Sequence, residues 1–323
     1  MTARSKLPAY LYAHLTDDWK AVDRLALKLL MRCLDLNPDF IFAVFPGVDS
    51  YSHLNHPRHD KTISAYEFVD TVVGKVVAKL KRLGRWDETL LVITSDHGLT
   101  ATNQHLDLAL FLQGHKIRTM YYPIVWKYRP QASVMISGNA LGQIYWLDGE
   151  NIRRQEYILG ELLSRPEVDL VITKYSDGVL QIDSAKGKAF IDNHFGLKYM
   201  LATGDPLGHG AMEKPMNRRE ALEATYELEY PDALVQADQL FSSPRCGDMV
   251  VISKIGYDLR KAFEWPEHHA SHGSLCREHM IVPLIYNQSG WDQRPARTTD
   301  IFNTILKWSG RATLDGTDGD SLI

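Results

Sequence analysis

Apolar residues along this chain fall into two alternating rhythms, helical stripes and short unbroken runs, the pattern of strands interleaved with helices in a layered α/β fold. Asp17 and Asp18 suit a helix start, and WKAVDRLALKLLMRCL carries apolar side chains at helical spacing until Asn37 and Pro38. The run FIFAVF, Phe40 to Phe45, is closed by Pro46 and Gly47 and predicts a strand covered on both sides. In TISAYEFVDTVVGKVVAKLKRLG, the positions Ile63, Tyr66, Val69, Val73, Val76 and Leu80 form a helical stripe. Basic residues crowd its last turn, and Gly84 supplies the cap. A second apolar run, TLLVITS, follows at once. Strand, helix, strand in this order implies parallel neighbours joined by a right-handed crossover, with Asp49 and Asp96 just beyond the carboxyl ends where open α/β sheets hold ligands. The expected fold is a layered, mostly parallel sheet with helices on both faces.

The middle of the chain, 138–243, predicts a helix in NIRRQEYILGELLSR, a strand in VDLVITKY, an irregular stretch rich in Gly, Lys and Asp, and helices in RREALEATYELEY and PDALVQADQLF. This reads as sheet continuation plus a smaller insertion that shapes a substrate pocket. DMVVIS and MIVPLIY are later buried strands, and TTDIFNTILKWSG is a closing amphipathic helix. There is no internal repeat.

Composition narrows the partners. A net charge of −4 points to neither a nucleic-acid polymer nor an anionic membrane. No run of eighteen apolar residues and no signal-like N-terminus is present, so the chain as given reads as cytoplasmic. Cys33, Cys246 and Cys276 are too scattered for a disulfide framework or a thiolate metal module.

The chemistry lies in three stretches. In PGVDSYSHLNHP, Asp49 and His53 stand four apart, and a helical turn there puts both on one face, close enough to share a cation. In LLVITSDHGLT, Asp96 and His97 end an apolar run, where a strand-end turn aims both into one pocket. In HHASHGSL, His272 occupies a Gly- and Ser-containing loop before MIVPLIY. Each piece alone better fits a hydrogen-bonded loop contact or a solvated face. Together, carboxylate and imidazole donors without thiolate suit zinc first, then manganese or iron. His56, His59, His268, His269 and His279 read as loop surface, His209 as a weak pocket candidate, and Lys186 and Lys188 as exposed charges.

The combination of GVDSYSH, VITSDHG and SHGSL…EHMIVPLIY, in that order, resembles the alkaline phosphatase superfamily in its branch of type I phosphodiesterases and nucleotide pyrophosphatases. PRCGDMVVISKIGYD and the tail TTDIFNTILKWSGRATLDGTDGDSL are similar to the same family. The resemblance implies an alkaline-phosphatase-like core and two divalent metal ions, most naturally zinc with manganese second. Asp49, His53 and His272 match the ligands of one, and Asp96 with His97 match two ligands of the other. It also implies a small-molecule phosphate ester as substrate, a diester or nucleotide pyrophosphate, hydrolysed through a Ser or Thr nucleophile.

One departure follows from the resemblance. The family carries a further metal-binding Asp on its first strand and the nucleophile soon after, both upstream of the position that Asp49 matches. No apolar strand ending in Asp-Gly precedes Asp49; Thr2, Ser5 and Thr16 are the hydroxyl candidates there, and the late Asp315 and Asp318 pairs lie in a polar tail. The expectation is a single catalytic domain, 1–323, lacking its first βα portion, with one metal site nearly complete and the second short of ligands. Two alternatives stay open: a phosphoryl-transfer enzyme of the same superfamily, as in its phosphoglycerate mutases or phosphoethanolamine transferases, or an inactive remnant.

Overall fold

A computed structural model describes residues 7–121, 129–149, 151–262, 264, 266–314 and 316–323. The chain forms two compact units, one comprising Met1–Ile93, Pro266–Ala270 and Ile285–Ser289, the other Thr94–Trp265, Ser271–Leu284 and Gly290–Ile323.

The first unit is mainly helical: α1 (Leu7–Thr16), α2 (Trp19–Asp35), α3 (Gly47–Asn55) and α4 (Asp60–Arg82). Asp18 caps α2, its carboxylate accepting from the Ala21 amide, as the Asp17-Asp18 start signal predicts. Helix α1 carries no such signal in the sequence. Its apolar residues are spread around the helix, and it buries Ala13, in a cluster with Trp19, Val22, Tyr51 and Ala65. Helices α2 and α4 share a second cluster in which Leu34, Val72, Val76 and Leu80 pack with Ile41, Phe45 and Trp86.

The strand expected at Phe40–Phe45 does not form. Ile41 and Phe45 lean on the helical cluster, while Phe40, Phe42 and Val44 are exposed, Phe42 by 82%. Among the described residues no strand pairs with this segment, so its apolar content serves helix packing instead of a ladder. The second run shortens to β1 (Val92–Thr94), which pairs with the strand Leu284–Tyr286 in a two-stranded sheet. Asn287 holds the approach to β1: its side chain accepts from the Leu91 amide at 2.8 Å and donates to the Thr89 carbonyl at 2.9 Å.

The second unit contains β2 (Thr100–His105), α5 (Leu108–Gly114), β3 (Thr119–Tyr121), β4 (Ala132–Ser137), β5 (Leu141–Trp146), α6 (Ile152–Leu163), β6 (Val168–Ser176), β7 (Val179–Ser184), β8 (Gly187–Asp192), β9 (Leu197–Gly204) and β10 (Met212–Met216). There follow α7 (Arg218–Thr225), α8 (Ala233–Ser242), β11 (Met249–Ser253), β12 (Gly256–Asp258), α9 (Arg277–Met280) and α10 (Asp300–Trp308). A nine-stranded sheet runs in the order β10-β9-β8-β7-β6-β11-β5-β4-β3. Strand β11 is buried at every position, and its residues alternate between two cores. Val250 and Ile252 face one with Ala221, Leu234 and Ala237 of α7 and α8; Met249 and Val251 face the other with Leu108, Leu112, Ile158 and Leu162 of α5 and α6. Helices therefore cover both faces, and β11 reads as an unbroken apolar run for that reason.

The expectation of a mostly parallel sheet is overturned. Among the described residues of the large sheet only β3 and β4 run parallel, and the other pairs are antiparallel. The strand expected in VDLVITKY forms as β6, and the stretch after it, read as irregular, carries β7 through β10 and completes a meander. Its Asp177-Gly178 turn, with Gly178 at φ +67°, joins β6 to β7 without the crossover that a parallel pair needs. A parallel pair recurs between β2 and β12.

Candidate metal-binding site

In the first unit, Asp49 and His53 sit one helical turn apart on α3, and His53 Nε2 lies 3.4 Å from Asp49 Oδ1. The helical reading of the DxxxH spacing is met. His53 Nδ1 is 2.8 Å from the carbonyl of Ala270, two residues before His272 in the chain. A carbonyl only accepts, so Nδ1 carries a hydrogen, and Nε2 is the nitrogen turned toward the Asp49 carboxylate. Two electron-rich atoms facing each other at that distance need a proton or a cation between them. This is the arrangement in which metal-binding histidines are oriented by a carbonyl behind the ring. The His268 ring lies 4.8 Å from that of His53.

Helix α3 is placed by a residue that the motifs did not reveal. Pro46 provides no side-chain cap; the Gly47 amide donates instead to Asp23 Oδ1, 3.2 Å away on α2. A Cβ at Gly47 would stand 2.1 Å from Asp23 Oδ2, so only glycine lets the carboxylate come so near. Asp23 is fully buried. Its carboxyl is pushed up to about 6 by burial, against the opposing Gly47 amide and Arg24. The available signal was a carboxylate on the buried side of α2 beside Trp19 and Val22.

In the second unit, Asp96 and His97 lie in the turn after β1. His97 repeats the logic of His53: Nδ1 donates to the Gly98 carbonyl at 3.0 Å, and Nε2 lies 3.7 Å from Asp96 Oδ2. Ser95 Oγ donates to the His97 carbonyl at 3.0 Å. The Asp96 side chain is 86% exposed, which corrects the expectation that the strand-end turn aims it into a pocket. The His97 ring stacks on that of His272, centroids 3.5 Å apart and planes within 4°.

Glycines fix both ends of this stack. The Gly98 amide donates to the His279 carbonyl at 2.8 Å, and a Cβ there would meet the Glu278 carbonyl oxygen at 1.9 Å. Gly138, at φ +58°, accepts from the His272 amide at 2.7 Å, and a Cβ on it would lie 2.5 Å from His272 Nδ1. His279 is buried, contrary to its reading as loop surface. Its Nδ1 accepts from the Ser274 amide at 3.2 Å, which leaves Nε2–H to donate to Thr100 Oγ1 at 2.8 Å. Burial first, and His97 second, push this imidazole down to about 4.

The remaining candidates have local roles. His56 and His59 accept from the amides of Arg58 and Lys61, the second as the cap of α4. His209 bonds the Tyr230 carbonyl at 3.0 Å and packs edge-on against Tyr199. Lys186 and Lys188 pair with Glu229 and Asp183. Thr16 Oγ1 donates back to the Tyr12 carbonyl within α1, whereas Thr2, Ser5 and Asp315 lie outside the described residues.

The model for "Type I phosphodiesterase / nucleotide pyrophosphatase" matches residues 4–275, a span that encloses Asp49, His53, Asp96, His97 and His272. The chain belongs to that family. Human bis(5'-adenosyl)-triphosphatase ENPP4 is 34% identical over 71 residues, 21% of this chain and 16% of that protein. The human GPI ethanolamine phosphate transferase 3 catalytic subunit is 32% identical over 89 residues, 27% of this chain and 8% of that one. Among solved structures, wild-type alkaline phosphatase PafA superposes with a TM-score of 0.55 at 16% identity, covering 93% of this chain and 52% of its own. The chain thus has the α/β fold of the alkaline phosphatase superfamily, matches short stretches of these curated relatives and spans about half of the solved one. The family is one of phosphodiesterases and pyrophosphatases, as the resemblance in the sequence implies. No described helix is long and apolar enough to cross a membrane.

Proposed function

We propose that this protein is a metal-dependent hydrolase of small phosphate esters, acting on phosphodiester or nucleotide pyrophosphate bonds. Asp49, His53 and His272 are the proposed ligands of one divalent cation, and Asp96 and His97 are two ligands of a second. The observation that carries the reading is the repeated tautomer arrangement. His53 and His97 each give Nδ1–H to a backbone carbonyl and turn Nε2 toward a carboxylate oxygen, at 3.4 and 3.7 Å. That donor chemistry fits zinc, with manganese second. Bound cations would supply Lewis-acid stabilisation of charge on a phosphoryl group and its leaving oxygen. Asp23 and the Ala270 carbonyl orient the α3 ligands, and Gly138 and Gly98 hold the His97–His272 stack.

The test is hydrolysis of bis(p-nitrophenyl) phosphate and of a dinucleoside polyphosphate with zinc or manganese, before and after chelation. Turnover that needs the metal and falls at least about a hundredfold in Asp49→Ala and His272→Ala supports the reading. Turnover indifferent to chelator and to both substitutions overturns it. The match to a GPI ethanolamine phosphate transferase favours a second reading, transfer of the phosphoryl group to an acceptor alcohol. A rate of product formation that rises with added ethanolamine or glycerol, with transfer product detected, would select it.

A further inference from the structure

Within the second unit, His105, Asp258 and Glu264 bring one ligand atom each within 4.8 Å of one another, apart from every residue assigned above. Their side chains are 6%, 0% and 3% exposed. His105 ends β2 and Asp258 ends β12, and the parallel register of those strands sets the two residues side by side. His105 Nδ1 is surrounded by oxygen: Asp258 Oδ1 at 2.7 Å, the Arg260 carbonyl at 3.1 Å and Glu264 Oε2 at 3.9 Å. One proton on that nitrogen serves one of these acceptors well.

The partners behind the cluster orient it as a ligand set is oriented. The Arg260 amide donates to Asp258 Oδ1 at 3.3 Å, and Asn139 Nδ2 donates to Glu264 Oε1 at 2.5 Å. The second oxygen of the Asp258 carboxylate, Oδ2, is buried with no hydrogen-bond partner among the described residues. A fully buried carboxylate with an idle oxygen is costly unless a charge meets it. Two carboxylates with a neutral imidazole match the charge of one dication.

We infer that His105, Asp258 and Glu264 form a third cation site, structural in role, for a zinc- or manganese-type divalent ion. One imidazole nitrogen and two carboxylates, with the Arg260 carbonyl oxygen beside them, make a nitrogen–oxygen donor set of that class. The site closes β2 onto β12. Through Asn139, whose carbonyl accepts from the Leu259 amide at 2.8 Å, it steadies the Gly138–Ala140 segment that brackets His272. The inference does not depend on the proposed hydrolase.

The experiment is cobalt(II) titration, after removal of resident metal, of the full chain carrying Asp49→Ala and Asp96→Ala and of the same chain with Asp258→Asn added. The expected result is one equivalent of cobalt with visible ligand-field bands in the first protein, lost or weakened at least a hundredfold in the second. No cobalt binding by the first protein, or equal binding by both, overturns the site and leaves a charged hydrogen-bonded triad. Should Asp258→Asn fail to fold, Glu264→Gln takes its place with the same two outcomes. Failure of the hydrolase reading shows separately, as absent turnover in the unmodified chain.

Discussion

Alanine at position 138 is the sharpest single perturbation available. Gly138 has φ +58°, and a left-handed conformation costs an L-residue about 1–2 kcal/mol. The added Cβ would also lie 2.5 Å from both His272 Nδ1 and the His272 carbonyl oxygen, distances that normal packing never reaches. Turning the ring relieves the first contact but not the second, so the backbone that carries His272 must move, at about 1–3 kcal/mol. Gly138→Ala should therefore destabilise the second unit by about 2–5 kcal/mol. Gly208 is the internal control: it has φ +66°, lies in the same unit, and a Cβ added to it would meet nothing within 4 Å. Gly208→Ala incurs only the conformational cost, about 1–2 kcal/mol. Urea unfolding of both variants, followed through the transition of this unit, measures the difference, and zinc titration reads displacement of His272 as weakened affinity. If the two variants shift the midpoint equally and bind metal like the parent, the account of how His272 is held is wrong.

Two ionisations make opposite pH predictions. The Asp23 carboxyl rises from 3.8 to about 6, so its contribution to stability is full below the lower value and lost as pH rises through the upper, about 3 kcal/mol in all. Asp23→Asn keeps an acceptor for the Gly47 amide and should gain about that amount at pH 7 and almost nothing at pH 4, as measured by chemical denaturation. His279 falls from 6.5 to about 4, so its stabilisation is full above the higher value and lost as pH drops through the lower, again about 3 kcal/mol. His279→Gln should flatten the acid limb of the second unit's stability curve. Arg297 makes a buried double contact with Asp232, at 2.8 and 2.5 Å, and Arg297→Met should cost about 3–5 kcal/mol by stranding the carboxylate, read as a lowered thermal midpoint.

What the sequence made legible was whatever carried its own period or a fixed spacing. Helices α2, α4 and α10 announced themselves through stripes and caps, β11 through an unbroken apolar run, and Asp49 with His53 through a four-residue interval that a helix turns into contact. Strand direction was not legible, because a short apolar run looks the same in either orientation. The Asp177-Gly178 pair is the local sign of a hairpin, and it is masked by the many polar residues around it. Phe40–Phe45 misled because an apolar run records a need for burial, not the partner that satisfies it. Asp23, His105, Asp258 and Glu264 were hard to single out for another reason: Asp23 gains its role only beside Gly47, and Asp258 and Glu264 only beside His105, far away in the chain.

Phe40, Phe42 and Val44 stand in water on a segment with no ladder partner among the described residues. Such a strip invites intermolecular β-association, which grows steeply with concentration while leaving the folding equilibrium untouched. Handling of the purified protein should thus be limited by colloidal behaviour well before thermal denaturation matters. A lysine in place of Phe42, the most exposed of the three, should raise the solubility limit without moving the unfolding midpoint.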